Sequence, residues 1–235
     1  MTAIFRREFA AYFISPIGYV YLTAFYLLAG YQYAVLLLSG SGDMAAEFAF
    51  LYTMVLLLSP VLTMRLLSEE RRQRTDQLLF SAPVTLWGIT GGKYFAAVAV
   101  YLLGIAVTLP QAAVLSAFAE VNWMLVAGNL AGMALVGMAS IALCMFISAH
   151  TENQIIAAIG GFAAMLAVLS LNSIAALIPF EPLRALLRGV SFYSRYYSLT
   201  MGIISVSDVF FFASFAGLFF FLTARALERR RWSGQ

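Results

Sequence analysis

The run Ala127-Gly128-Asn129-Leu130-Ala131-Gly132-Met133-Ala134-Leu135-Val136-Gly137-Met138-Ala139-Ser140-Ile141-Ala142-Leu143-Cys144-Met145-Phe146-Ile147-Ser148-Ala149 contains no charged residue. As a helix it rises about 35 Å, enough to cross the ~30 Å hydrocarbon core of a bilayer. The flanking sequence repeats the pattern. Residues 9–42 carry no charge, and Ser15-Pro16 interrupts them to leave a span near 17–38. Further apolar runs fall near 48–64, 94–119 and 155–178. The last, 209–224, is short at roughly 24 Å. It reaches full length as 205–226 if Asp208 is included and Arg225 extends its head to the interface. The sequence therefore predicts an all-α integral membrane protein, a single domain over residues 1–235 with six transmembrane helices.

Composition agrees. Hydrophobic residues make up 63% of the chain and charged residues 11%, against about half and about a quarter in a soluble domain. A soluble fold of this length cannot hide so much apolar surface. Soluble enzyme, disulfide scaffold, disordered chain and nucleic-acid module are excluded on this count. The single cysteine, Cys144, lies inside an apolar run, permits no internal disulfide and reads as a small buried hydrophobe.

Six spans put both termini on one side, and the basic residues say which. Arg6, Arg7, Arg65, Arg71, Arg72, Arg74, Lys93, Arg225, Arg229, Arg230 and Arg231 share the terminal side; Arg184, Arg188 and Arg195 lie opposite. By the positive-inside rule the termini are expected in the cytoplasm. The apolar run after the basic N-terminus is too long for a signal-peptide core, so uncleaved insertion is expected. Residues 3–13 place Phe5, Phe9 and Phe13 on one helical face with Arg6 and Arg7 elsewhere, the pattern of a helix lying in the membrane interface.

The densest block of charge is Arg65-Leu66-Leu67-Ser68-Glu69-Glu70-Arg71-Arg72-Gln73-Arg74-Thr75-Asp76-Gln77-Leu78-Leu79, between spans two and three. Helical spacing pairs Glu69 with Arg72, Glu70 with Arg74 and Arg72 with Asp76. Ala82-Pro83 ends the segment, and a second short helix from about Thr85 leads into span three. A solvated helix held by its own ion pairs and a docking surface for a cytoplasmic partner both fit this pattern.

Other segments carry weaker signals. Gly88-Ile89-Thr90-Gly91-Gly92-Lys93-Tyr94 shares glycines and a lysine with a phosphate-binding loop, but Trp87 stands at the first glycine position and Tyr94 at the magnesium-binding hydroxyl; it reads as a turn plus a basic anchor for span three. His150, the one histidine, sits beside Glu152 and offers no metal cluster. No charge is read at mid-span, which argues against an ion-coupled carrier. Gly128 and Gly132 form a small-xxx-small pair that lets helix backbones approach, within the chain or between two copies. Tyr19, Tyr21, Tyr26, Tyr31 and Tyr33 crowd span one. In the segment 180–208, Leu183, Leu186, Leu187 and Val190 share one face, with Pro182 suited to a first helical turn. Two short helices at the outer leaflet, re-entrant or interfacial, are expected there.

The run Pro60-Val61-Leu62-Thr63-Met64-Arg65-Leu66-Leu67-Ser68-Glu69-Glu70-Arg71-Arg72-Gln73-Arg74-Thr75-Asp76-Gln77-Leu78-Leu79-Phe80-Ser81-Ala82-Pro83 closely resembles the signature loop of type-2 ABC-transporter permeases, in the subgroup of gliding-motility-type permeases. Arg7-Glu8-Phe9, Tyr12-Phe13-Ile14-Ser15-Pro16, Thr151-Glu152-Asn153-Gln154-Ile155 and Phe221-Leu222-Thr223-Ala224-Arg225 match other parts of that pattern, so the resemblance runs the length of the chain. One departure is Gln77, where the family often carries Glu. The resemblance implies a coupling helix seated in a separate ATPase subunit, with Glu69, Glu70, Arg71, Arg72, Arg74 and Asp76 as contact residues and Glu152 as an inner-turn contact. It implies a permease dimer, with itself or a related chain, in the bacterial cytoplasmic (inner) membrane. ATP and magnesium would belong to the partner ATPase, with no catalytic, cofactor-binding or metal residue in this chain, and export would be the usual direction. The alternative class is a stand-alone ion-coupled carrier or assembly scaffold. No motif for lipid, peptide, sugar or metal identifies a substrate.

Overall fold

The computed structural model describes residues 1–40, 43–72, 85–200 and 205–233, and all regular structure among them is helical. Eleven helices follow in order among the described residues: α1 Thr2–Ile14, α2 Pro16–Ser39, α3 Ala45–Thr63, α4 Ser68–Arg72, α5 Leu86–Ile105, α6 Thr108–Leu115, α7 Trp123–Ala149, α8 Gln154–Leu177, α9 Glu181–Val190, α10 Phe192–Thr200 and α11 Val206–Ser233. Six segments are long and apolar enough to cross a membrane: α2, α3 with α4, α5 with α6, α7, α8 and most of α11. The chain is a multi-pass membrane protein by these six segments.

Local chemistry sets the boundaries. Ser15 is extended (φ −89°, ψ 155°) and Pro16 opens α2, since the residue before proline avoids helical geometry and proline suits a first helical turn. Asn122 accepts from the backbone N–H of Met124 and Leu125 at 3.1 and 3.3 Å, which starts span four at Trp123 rather than at 127. Asn153 caps α8 in the same way, accepting from Ile155 N–H at 2.9 Å.

Span three differs most from expectation. Thr85 caps a helix that begins at Leu86, its hydroxyl accepting from Gly88 N–H at 3.2 Å. The glycine-rich stretch 88–94 is therefore neither a turn nor a separate short helix but the first two turns of the span. Downstream, Pro110 cannot donate to Ala106, and the Ala106 carbonyl accepts from Leu109 N–H at 3.1 Å instead. The span breaks there into α5 and α6, as a missing donor inside a helix requires.

Spans two, three and four form the half-buried centre of the bundle, while one, five and six wrap it and leave most of their surface outside. Tyr101 on α5 lies over Gly137 on α7 and donates to Met133 O at 2.6 Å. Met1 and Phe220 both reach Gly91 at the start of span three, and Trp87 packs on Phe220 and Phe221. Both terminal helices therefore meet at one end of the bundle, called the terminal end below. The opposite end carries α9 and α10. Leu183, Leu186 and Val190 of α9 are exposed together, whereas Phe192, Tyr196 and Leu199 of α10 are buried.

Candidate functional site

Span two does not end freely. Leu66 and Leu67 are buried in the turn after Thr63. The Leu67 and Ser68 N–H groups donate to Ser148 Oγ at 3.4 and 3.3 Å, and the Ser148 hydroxyl donates to Met64 O at 3.2 Å. One hydroxyl from the end of span four thus satisfies the backbone that the turn frees, and α4 leaves the bundle in a fixed direction.

Two of the charges on α4, Glu70 and Arg71, reach other elements of the fold. Glu70 Oε1 lies 2.8 Å from Lys93 Nζ on α5 and 3.2 Å from the Arg7 guanidinium on α1. Glu8 Oε1 lies 3.2 Å from the same Lys93 and 2.6 Å from Arg7. Two acids and two bases from three helices close a neutral ring around Lys93, which is only 1% exposed. A lysine this deep is tolerated only with partners, and here it has two. Arg71 extends the network, pairing with Glu152 at 2.7 Å and donating to His150 O at 3.1 Å. The turn between spans four and five is thereby tied to α4.

Close approach of α1 makes this ring possible. A Cβ on Gly92 would stand 2.7 Å from Ile4 Cγ2 and 3.1 Å from Phe5 N, so only glycine lets α1 cross α5 at this distance. Phe5, Phe9 and Phe13 form the aromatic row the spacing predicts, with ring centroids 5.9 and 5.2 Å apart. Tyr12 donates to Leu62 O at 2.9 Å and pins α1 to span two.

Burial opposes ionisation of Glu8, yet the Lys93 ammonium and the Arg7 hydrogen bond outweigh it and hold the carboxyl below its ordinary value of 4.5. The folded chain then binds this proton less tightly than the unfolded chain. The ring's contribution is complete above pH 4.5 and is lost as pH falls through the depressed value. Thermal midpoints measured against pH are expected to decline below pH 4.5 in the wild type, with that part of the decline reduced in Glu8→Gln.

The site residues expected from sequence divide into groups. Glu70 and Arg71 are engaged within the chain, and Glu152 meets Arg71. Glu69 pairs with Arg65 one turn back, a correction to the expected Glu69–Arg72 pair. Arg72 is exposed on the terminal face, with no ion pair to another described residue. Arg74 and Asp76, and with them the expected Glu70–Arg74 and Arg72–Asp76 pairs, lie outside the described residues. Gly132 packs inside the chain, where an added Cβ would stand 3.1 Å from the Tyr196 ring, and Gly128 is buried on the same helix. His150 does not partner Glu152: its Nδ1 lies 2.9 Å from Phe146 O.

Sequence reasoning missed the roles of Arg7, Glu8 and Lys93. Lys93 was legible as the one cation opening an otherwise apolar span, and Gly91-Gly92 beside it marked a helix crossing. At the opposite end it missed Arg195, which donates to Asp208 Oδ1 at 2.9 Å and to Gly189 O at 3.2 Å and so joins α9, α10 and α11. No family model matches the chain, and no curated protein matches its sequence. Among the described residues no group of three or more His, Cys, Asp or Glu side chains is placed to hold a metal ion.

Proposed function

We infer that the chain is the membrane-spanning permease subunit of an ATP-binding-cassette transporter of type 2, working as an exporter in a bacterial cytoplasmic membrane. Its terminal end faces the cytoplasm, consistent with eleven basic residues there against three opposite. The α4 segment is the start of the coupling helix, which docks on a separate ATPase subunit that holds ATP and magnesium. A second permease copy, or a related chain, covers part of the exposed faces of spans one, five and six.

The observation that carries this reading is the ion-pair ring around Lys93. A solvated connector would spend its charges on neighbours one turn away. Glu70 and Arg71 spend theirs on α1, span three and the turn between spans four and five. A push on α4 therefore moves four elements together, as a lever between ATPase closure and the spans requires. Glu70 and Arg71 anchor the lever, and Arg72, exposed and pointing from the same short helix, is the contact with the ATPase.

A test follows from that division. Purification from native membranes is expected to bring down a nucleotide-binding subunit. Arg72→Glu is expected to lower its recovery at least tenfold while leaving the thermal midpoint of the permease within about 2 °C, as surface substitutions do. Recovery of the chain without any ATPase would sink the reading. One observation favours the second class, an ion-coupled carrier without ATPase: a carboxylate, Glu47, is fully buried in span two, and ionisable groups in spans are functional candidates.

A further inference from the structure

Glu47 lies in the first turn of α3 at the end of the bundle opposite the termini, and it is 0% exposed. Both carboxyl oxygens lack a hydrogen-bond partner. Close by, the Tyr33 hydroxyl on α2 donates to Gln111 O on α6 at 2.9 Å and so is already engaged, while Gln111 Oε1 is itself buried without a donor. The corner between spans one, two and three thus holds three enclosed acceptor oxygens without a donor to any of them from the described chain.

Among the described residues no lysine or arginine supplies the missing charge. The basic residues of this end are Arg184, Arg188 and Arg195. Arg184 pairs with Glu181 and Arg195 with Asp208, and none of the three bonds Glu47. Residues 41–42 and 201–204, which lie outside the described residues, contain no charged side chain. The titratable groups around this corner are Tyr33 on α2, Asp43 ahead of α3 and Glu120 ahead of α7, none of which is cationic. An isolated carboxylate in an apolar interior costs many kcal/mol, far more than folding leaves in reserve. The positive charge must come from outside the chain.

A cleft of about 420 Å³ opens beside this corner, lined by Asp43, Ala45, Phe48, Glu120 and Asn122 among others. Glu47 stands between two of its lining residues in sequence without lining it. Its carboxyl is thus close to the aqueous face yet closed off from it. A hydrated metal ion would need room around the oxygens, whereas a proton needs none.

We propose that Glu47 is a proton-binding site: its carboxyl takes a proton from the aqueous face opposite the termini, holds it while spans one to three are packed together, and returns it to that face when they part. The proton enters as a hydronium proton, forms the O–H bond on one carboxyl oxygen, and leaves to water by breaking the same bond. Parting of the spans at this end releases one proton, so higher pH favours it, by up to about tenfold in population per pH unit.

Infrared difference spectroscopy of the purified full chain in lipid nanodiscs at pH 7, wild type minus Glu47→Gln, tests the site without reference to any ATPase partner. The expected result is a protonated-carboxyl carbonyl band in the wild type that moves in heavy water and is lost in Glu47→Gln. A difference showing only ionised carboxylate bands overturns the proposal and points to a bound cation. Should Glu47→Gln fail to fold, Glu47→Asp keeps the acid and is expected to shift the band; an unmoved band assigns it to another residue and also overturns the proposal. A spin-label pair on residues 38 and 118 then reads the opening. Its pH dependence is expected in the wild type and not in Glu47→Gln, and equal dependence in both contradicts the proposal.

Discussion

Lys93→Met is expected to lower the stability of the purified chain by about 3 kcal/mol, the low end of the ~3–5 kcal/mol that breaking a buried ion pair costs. Lys93 serves Glu8 and Glu70 together, so its loss leaves two acids facing one base. Two facts keep the effect from being larger. Arg7 already contacts both acids, at 2.6 and 3.2 Å, and the two carboxylates keep some access to solvent. For a chain of this size, 3 kcal/mol corresponds to roughly 6–12 °C in thermal midpoint. The triple variant Glu8→Gln/Glu70→Gln/Lys93→Met removes three of the four charges and leaves only Arg7, whose side chain is 55% exposed. It is expected to recover at least half of the loss, because no buried charge is left unpaired. Loss in the triple variant equal to or greater than that in Lys93→Met would show that the ring is not what holds α1, α4 and span three together.

The second large effect is expected at Gly137. A Cβ there would stand 2.2 Å from Tyr101 Cε1 and Cζ and 2.7 Å from its hydroxyl. Tyr101 is fully buried and donates to Met133 O at 2.6 Å, so its ring cannot retreat by the ~1 Å required without giving up that bond. Overpacking costs ~1–3 kcal/mol and a stranded buried hydroxyl a further ~1–3 kcal/mol. The gain from replacing glycine by alanine in a helix, ~1 kcal/mol, offsets only part. Gly137→Ala is therefore expected to lose about 2–4 kcal/mol. Adding Tyr101→Leu is expected to restore most of the difference between glycine and alanine, which a double-mutant cycle on thermal midpoints reads directly. Strict additivity of the two substitutions would contradict the contact.

Much of this fold was legible because the bilayer imposes it. Charge-free runs of about twenty residues admit one reading, and six helical segments are long and apolar enough to cross a membrane, the third of them broken ahead of Pro110. Their edges were less legible because capping depends on single residues: Asn122 starts span four before the apolar run does, and Thr85 starts span three ahead of a lysine that seemed to mark a loop. The site was legible in part. The charged block after span two stood out, but helical spacing looks only along one helix, whereas Glu70 and Arg71 also pair with residues of other elements, Lys93, Arg7 and Glu152. Local periodicity sees only the helix it describes. Glu47 was hidden for a related reason. One acid at the edge of an apolar run looks like an interfacial residue until its surroundings are known.

The mechanical role proposed for α4 separates the exposed from the engaged charges in what they are expected to do. Arg72 carries no ion pair to another described residue, so its loss should touch docking alone. Glu70 and Arg71 should affect docking and stability together.

The most direct test of the account places a photo-crosslinking amino acid at position 72 of the full chain in native membranes. The account predicts a covalent adduct with an ATP-hydrolysing subunit from position 72, and none from position 118 at the opposite end of the bundle. Absence of any such adduct from position 72, or equal adducts from both positions, would contradict it.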